Sequence, residues 1–157
     1  MSELSTDPIL GWRLWQVRHD GEGHRLESFT WHHIAWPALA RLEARCAVHR
    51  DDAPARGHEC GIHAFATREL AEGLLRRYTG QTLRYYNRDP ELPDRNGRPV
   101  ALGRVSLWGR VLAREFGFRA QYAYPYELFL IGADDDLASE LRGLYAVDVS
   151  PTYRARP

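Results

Sequence analysis

Both cysteines of this chain and three of its seven histidines fall between residues 46 and 66, in CAVHRDDAPARGHECGIHAFA. Cys46 and His49 stand three apart, His58 and Cys60 two apart, and an eight-residue loop holding Pro54 and Gly57 joins the pairs. Residues i and i+2 of an extended chain point the same way, and a turn brings i and i+3 together. Such a loop can fold two thiolates and two imidazoles onto one ion, the tetrahedral set that zinc favours. Zinc on Cys46, His49, His58 and Cys60 would convert its binding energy into folding energy and fasten an otherwise loose connection. Other readings fit the same residues. Reduced cysteine is among the most buried residue types and loop histidines are commonly solvated, so ordinary packing suffices; a reactive thiol is a further option. Acid–base catalysis by His49, His58 or His63 beside Asp51, Asp52 or Glu59 is also open, although no spacing singles it out.

A second group with chemical potential lies in LGRVSLWGRVLAREFGFRAQYAYPYELFLI. Trp108 sits among Arg104, Ser106 and Arg110 on the strand face opposite Val105 and Leu107. A tryptophan flanked by arginines can stack a flat group or hold an anion beside an aromatic plate. Trp108, Arg110, Arg119, Tyr122 and Tyr124 are therefore the candidate ligand-binding residues. The competing reading makes LWG part of a core covered on both faces, with arginine stems packed across the indole.

The elements that must position these groups follow from periodicity. Val105, Leu107, Gly109 and Val111 alternate with polar neighbours; after a turn at REFG, Phe118, Ala120, Tyr122 and Tyr124 alternate with Arg119, Gln121 and Ala123. This is a long hairpin, which Pro125 should end because proline offers no ladder N–H; ELFLI then adds a short buried strand. GWRLWQVR reads as a strand that turns at HDGEG and returns as HRLESF. From Thr30 to Cys46, Pro37 can either open a helix with Leu39, Leu42 and Cys46 on one face or interrupt an extended chain, and the stretch reads as extended or irregular. Thr67 caps a helix running to about Tyr78 with Leu70, Leu74, Leu75 and Tyr78 on one stripe, and Gly80 stops it. Asp134 to Asp136 cap a second helix with Leu137, Leu141, Leu144 and Tyr145 on one side, and YAVDV gives a last extended piece. Residues 87 to 99, with three prolines and three acidic side chains, read as an exposed loop. The expected fold is a single α+β domain over 9–150, mainly antiparallel sheet with a long hairpin in its C-terminal half and two short helices. Residues 1–8 and 151–157 read as loose tails.

Bulk properties narrow the function classes. With 157 residues the chain makes one domain, and 44% hydrophobic with 27% charged residues is ordinary for a globular protein. The formal net charge is zero, so no global field recruits nucleic acid or an anionic membrane. Every one of the 21 cationic side chains is arginine, which a GC-rich coding bias explains better than a chosen chemistry. No apolar run approaches a membrane span and no signal peptide opens the chain, so a cytoplasmic location with reduced cysteines is expected. RNA-binding, phosphate-loop, dinucleotide and hydrolase signatures are missing.

The elements CGIHA at 60–64 and GRVSLWGRV with FGFRAQYAYP at 103–125 resemble a family of small, largely uncharacterised bacterial proteins, notably actinobacterial. Its pattern runs C, H-x-A-P, C-x-C-G-I-[YH]-A, V-x-L-W-G-x-V and G-[FYW]-R-A-x-x-A-Y-P. Cys46, Cys60, Gly61, Ile62, Ala64, Val105, Leu107, Trp108, Gly109, Val111, Gly117, Arg119, Ala120 and Tyr124 match it. His58 stands where the pattern has the first cysteine of C-x-C, which preserves ligand capacity; His49 has a shifted spacing to the Ala-Pro. The resemblance carries no function with it. Together these readings lead to a non-enzymatic accessory or regulatory binding module, zinc-stabilised, that recognises a protein partner or small ligand through the Trp108 hairpin. An enzyme with a His- or metal-water site near residues 46–63 is the alternative, and nucleic-acid binding the third reading.

Overall fold

Branched and aromatic residues in period-two alternation dominate the chain, and strands dominate the result. The computed structural model describes residues 3–28, 34–46, 53–57, 59–77, 99–131 and 133–153. In chain order they form β1 (Glu3–His19), β2 (His24–Ser28), β3 (Leu42–Glu43), β4 (Ile62–Phe65), α1 (Arg68–Arg77), β5 (Val100–Ala113), β6 (Gly117–Ile131), α2 (Asp135–Tyr145) and β7 (Asp148–Ser150). The α+β fold, with its long β5–β6 hairpin and two helices among the described residues, is the one read from the sequence.

The seven strands form one sheet that curls on itself. β1 pairs with β5, β5 with β6, β6 with β4, and β4 returns to β1 through Trp12 and Phe65, so four strands close a small ring. β2 extends the flank of β1, while β3 and the parallel β7 extend that of β6. Closure leaves little unpaired edge.

The core explains the curl. Trp15, Trp36, Leu26, Leu128, Leu130, Leu141 and Tyr145 are all essentially excluded from solvent. The Trp15 and Trp36 rings meet edge to face at 5.4 Å and 87°, a geometry that adds about 1 kcal/mol to the burial of their area. α2 supplies Leu137, Ala138, Leu141 and Tyr145 to this cluster. The Tyr145 hydroxyl donates to the Trp36 carbonyl at 2.8 Å and accepts from the Leu26 N–H at 2.9 Å. A smaller cluster of Leu14, Leu102, Ala71 and Leu75 seats α1 on the sheet.

Local chemistry sets the element ends. Asp134 caps α2 by accepting from the Leu137 N–H at 2.9 Å, and Thr67 reaches the Leu70 N–H of α1 at 3.4 Å. Asp20 turns β1 into β2 by accepting from Glu22 and Gly23 N–H groups. The Glu22 bond first, with burial opposing it, holds the Asp20 carboxyl below the ordinary carboxylate range.

Four sequence expectations are corrected. Pro125 does not end its strand: β6 runs through it, because Tyr126 is an extra residue between the Arg104–Glu127 and Val105–Pro125 pairs, and a bulge tolerates a missing N–H. The α1 stripe is rotated, with Ala71, Glu72 and Leu75 buried and Leu70 and Leu74 half-buried. At the N-terminus no loose tail spans residues 1–8, since Glu3, Leu4 and Ser5 pair with Val111, Arg110 and Gly109. At the C-terminus Tyr153 is tied down: its hydroxyl donates to Glu72, while Arg68 donates to it at 3.2 Å. Tyr78, Gly80 and all of the 87–99 loop but Pro99 lie outside the described residues.

Candidate functional site

The ribbon carries the first site. A bulge shapes it: Trp108 pairs with Tyr122 and Val111 with Ala120, so Gly109 and Arg110 together face Gln121. Gly109 adopts a φ of +75°, and a Cβ there would come within 2.7 Å of both Gln121 and Tyr122, so glycine is required. The Gln121 side-chain oxygen accepts the Arg110 N–H at 3.1 Å and its amide donates to the Tyr122 hydroxyl at 3.2 Å. Leu107 and Val111 on either side of the bulge are both buried.

Trp108 and Tyr122 come together as cross-strand neighbours, with ring centroids 6.1 Å apart. Arg41, just before β3, places its guanidinium 3.9 Å over the Tyr122 ring, a cation–π contact. Trp108 and Tyr122 are half-buried and Arg41 is exposed. Leu39 nearby is 71% exposed and its N–H donates to the Tyr124 hydroxyl at 2.9 Å. Tyr124 in turn donates to the Tyr145 carbonyl at 2.8 Å, which makes it a strut between β6 and α2. Arg119 is buried, and donates to the carbonyls of Ala55 at 3.1 Å and Cys60 at 2.9 Å. Of the five expected ligand-binding residues, Trp108 and Tyr122 therefore share a surface, Arg110 lies in the adjoining bulge, and Tyr124 and Arg119 hold the scaffold.

The second candidate is the 46–63 region. Cys46 is 8% exposed and Cys60 is half-buried. Cys60 Sγ accepts the Ala55 N–H at 3.1 Å. His49 and His58, the other half of the expected zinc set, lie outside the described residues. Among the described residues no group of three His, Cys, Asp or Glu side chains is placed to hold a metal.

His63 is engaged at both ring nitrogens. Arg114 Nη1 lies 2.8 Å from Nδ1 and the Glu59 carbonyl 2.8 Å from Nε2. A guanidinium only donates and a carbonyl only accepts, so Nδ1 accepts, Nε2 carries the proton, and the ring is neutral. Burial above all pushes its pKa below the ordinary histidine value; the Glu59 carbonyl opposes this, and the charges of Arg114 and Arg13 add to the lowering. Arg13 also donates to the His63 carbonyl and, at 3.1 Å, to Ser28 Oγ, with its guanidinium 5.0 Å from the Trp36 ring centroid. Burial lowers the Arg13 pKa to about 10, leaving it charged at neutral pH. A histidine so held acts as a strut between β4 and the β5–β6 turn.

Sequence reasoning missed Arg41, Arg13 and Arg114. Arg41 precedes a two-residue strand with no readable alternation, and the partners of all three are remote in sequence. No helix among the described residues is long and apolar enough to cross a membrane. No family model matches the chain, and neither curated proteins nor solved structures yield a match. The likeness to the actinobacterial motifs thus rests on the residues that carry it.

Proposed function

We propose that this protein is a non-enzymatic accessory or regulatory module that binds a protein partner or small ligand on the Trp108 face of the β5–β6 ribbon. The observation that carries the reading is the stack of Trp108, Tyr122 and Arg41 at a partly exposed surface. Trp, Tyr and Arg are the residue types enriched in binding hot spots. Here the ring of strands and the Gln121 bonds hold them in place before any ligand arrives, which lowers the ordering cost of binding.

The reading includes one zinc ion on Cys46, His49, His58 and Cys60. Its support is the chemistry of the donor set and the way Arg119 and Cys60 Sγ bind the backbone at Ala55 and Cys60, fixing one half of the loop. Elemental analysis of dialysed protein is expected to give one zinc per chain, with most of it lost in Cys60→Ser. Metal-free protein that folds normally would remove the zinc from this reading.

The binding surface is tested by an NMR screen of mixed small fragments and short peptides. Shift changes are expected to cluster at Trp108, Tyr122 and Arg41, and to vanish in a folded Trp108→Ala variant. Ligands that map elsewhere and are indifferent to Trp108→Ala would refute it.

A further inference from the structure

Resting on that reading, we infer that Leu39 is the anchor by which the Trp108 face holds a protein partner, and that the partner offers an apolar socket for it. Among the described residues, Leu39 and Ala146 are the two other than glycine with a positive φ. Ala146 has a local reason: it ends α2, and its N–H donates to the Arg142 carbonyl. Leu39, at a φ of +59°, lies between β2 and β3 and ends no helix. A bulky side chain on left-handed backbone costs the fold stability, and glycine or asparagine would occupy the position with less strain. The chain instead places leucine there, with 71% of it exposed. Single exposed leucines are ordinary on protein surfaces; one that is also strained calls for a use outside the fold.

The turn holds this side chain still. Trp36 is buried, and the Tyr145 hydroxyl donates to its carbonyl at 2.8 Å. Three residues later the Leu39 N–H donates to the Tyr124 hydroxyl at 2.9 Å, and Tyr124 donates in turn to the Tyr145 carbonyl at 2.8 Å. Two tyrosines with ring centroids 6.3 Å apart thus clamp both ends of the stretch 36–39. Arg41, two residues on, lies over the Tyr122 ring, so the leucine adjoins the aromatic face proposed for binding. An anchor fixed before contact loses little freedom on binding. A projecting side chain cannot enclose a small molecule, which binds in a concavity; it fills a concavity on the other molecule. Nucleic acid offers polar base edges and phosphates, and one leucine buries too little to hold a bilayer. Exposed charges on or beside the face are mixed, Arg41 and Arg45 with Glu43 and with Asp7 in the β1 irregularity opposite Trp108. Shape and apolar contact, rather than an ionic surplus, therefore select the partner.

One arm of the test needs no partner. Leu39→Gly and Leu39→Asn should melt no lower than wild type, because relief of the left-handed strain offsets the few contacts of an exposed side chain. A fall of more than about 4 °C in both variants would make Leu39 a structural residue and overturn the inference. In the second arm a photo-crosslinking benzophenone side chain replaces the exposed Ala40, and cells that produce the chain are irradiated. The cross-linked protein, purified in its own right, is expected to bind this chain through apolar residues and to lose at least about tenfold in affinity for Leu39→Gly. Cross-linking to a second copy of this chain, to no protein, or to a protein indifferent to Leu39→Gly would overturn the inference. So would Leu39 methyl shifts elicited by phosphatidylglycerol vesicles or by a single-stranded oligonucleotide in place of a protein. In each of these cases fragments or peptides that still shift Trp108 leave the broader reading standing; if nothing shifts Trp108, both fail.

Discussion

Arg114 donates to Nδ1 of His63 at 2.8 Å while its other terminal nitrogen meets the Glu59 carboxylate at 2.6 Å, so one arginine ties the β5–β6 turn to the stretch that precedes β4. The surface ion pair itself contributes little, with 38% and 71% of the two side chains exposed. The hydrogen bond to the imidazole matters more, because it can exist only while the ring is neutral.

A pH dependence follows. Burial lowers the folded-state pKa of His63 below its ordinary value of about 6.5, so the unfolded chain binds the proton more readily than the fold. The stabilisation is fully present above pH ~6.5 and is lost as pH falls below that value towards the folded pKa. Thermal unfolding from pH 8 to pH 5 should therefore show wild type losing more stability than His63→Gln, with the two curves converging at the acid end. Nitrogen-15 spectra should show the Nε2-protonated tautomer at neutral pH. Parallel curves for the two proteins would refute the strut.

Tyr145 makes a second point of leverage. Its buried hydroxyl joins the Leu26 N–H and the Trp36 carbonyl, and burial raises its pKa. Tyr145→Phe leaves both backbone groups buried without that partner, at a cost of about 2 kcal/mol. Calorimetry should register a fall in Tm of roughly 4–8 °C with the fold retained.

Two glycines separate packing from propensity. A Cβ at Gly103 would lie 2.0 Å from the Glu127 carbonyl oxygen, whereas one at Gly143 in α2 meets nothing within 4 Å. Gly103→Ala should force the β5–β6 ladder apart and yield little folded protein. Gly143→Ala should raise stability by about 1 kcal/mol, or roughly 2–4 °C in Tm, since alanine is the better helix former. Circular dichroism melts of the two variants check both signs.

Much of the fold was legible because it is written locally. The alternation around Val105 and Leu107 marks the hairpin, Asp134 announces α2, and Asp20 with its glycines turns β1 into β2. The Trp108–Tyr122 pairing was half legible: both were named as candidates, but the bulge at Gly109 that fixes their register arises from side chain and backbone contacts of Gln121. Pro125 misled because a proline that ends an ordinary strand is tolerated beside a bulge.

By itself the sequence determined the long β5–β6 hairpin, the turn from β1 into β2 and both helices, since caps, turns and alternation act over a few residues. Only the tertiary structure decided that β4 closes a ring with β1, that Arg41 settles on Tyr122, and that Arg119 and Tyr124 serve the scaffold rather than a ligand. Those outcomes depend on which surfaces meet when the core of Trp15, Trp36 and Tyr145 is buried, and a contact between distant residues leaves no periodic trace in the chain.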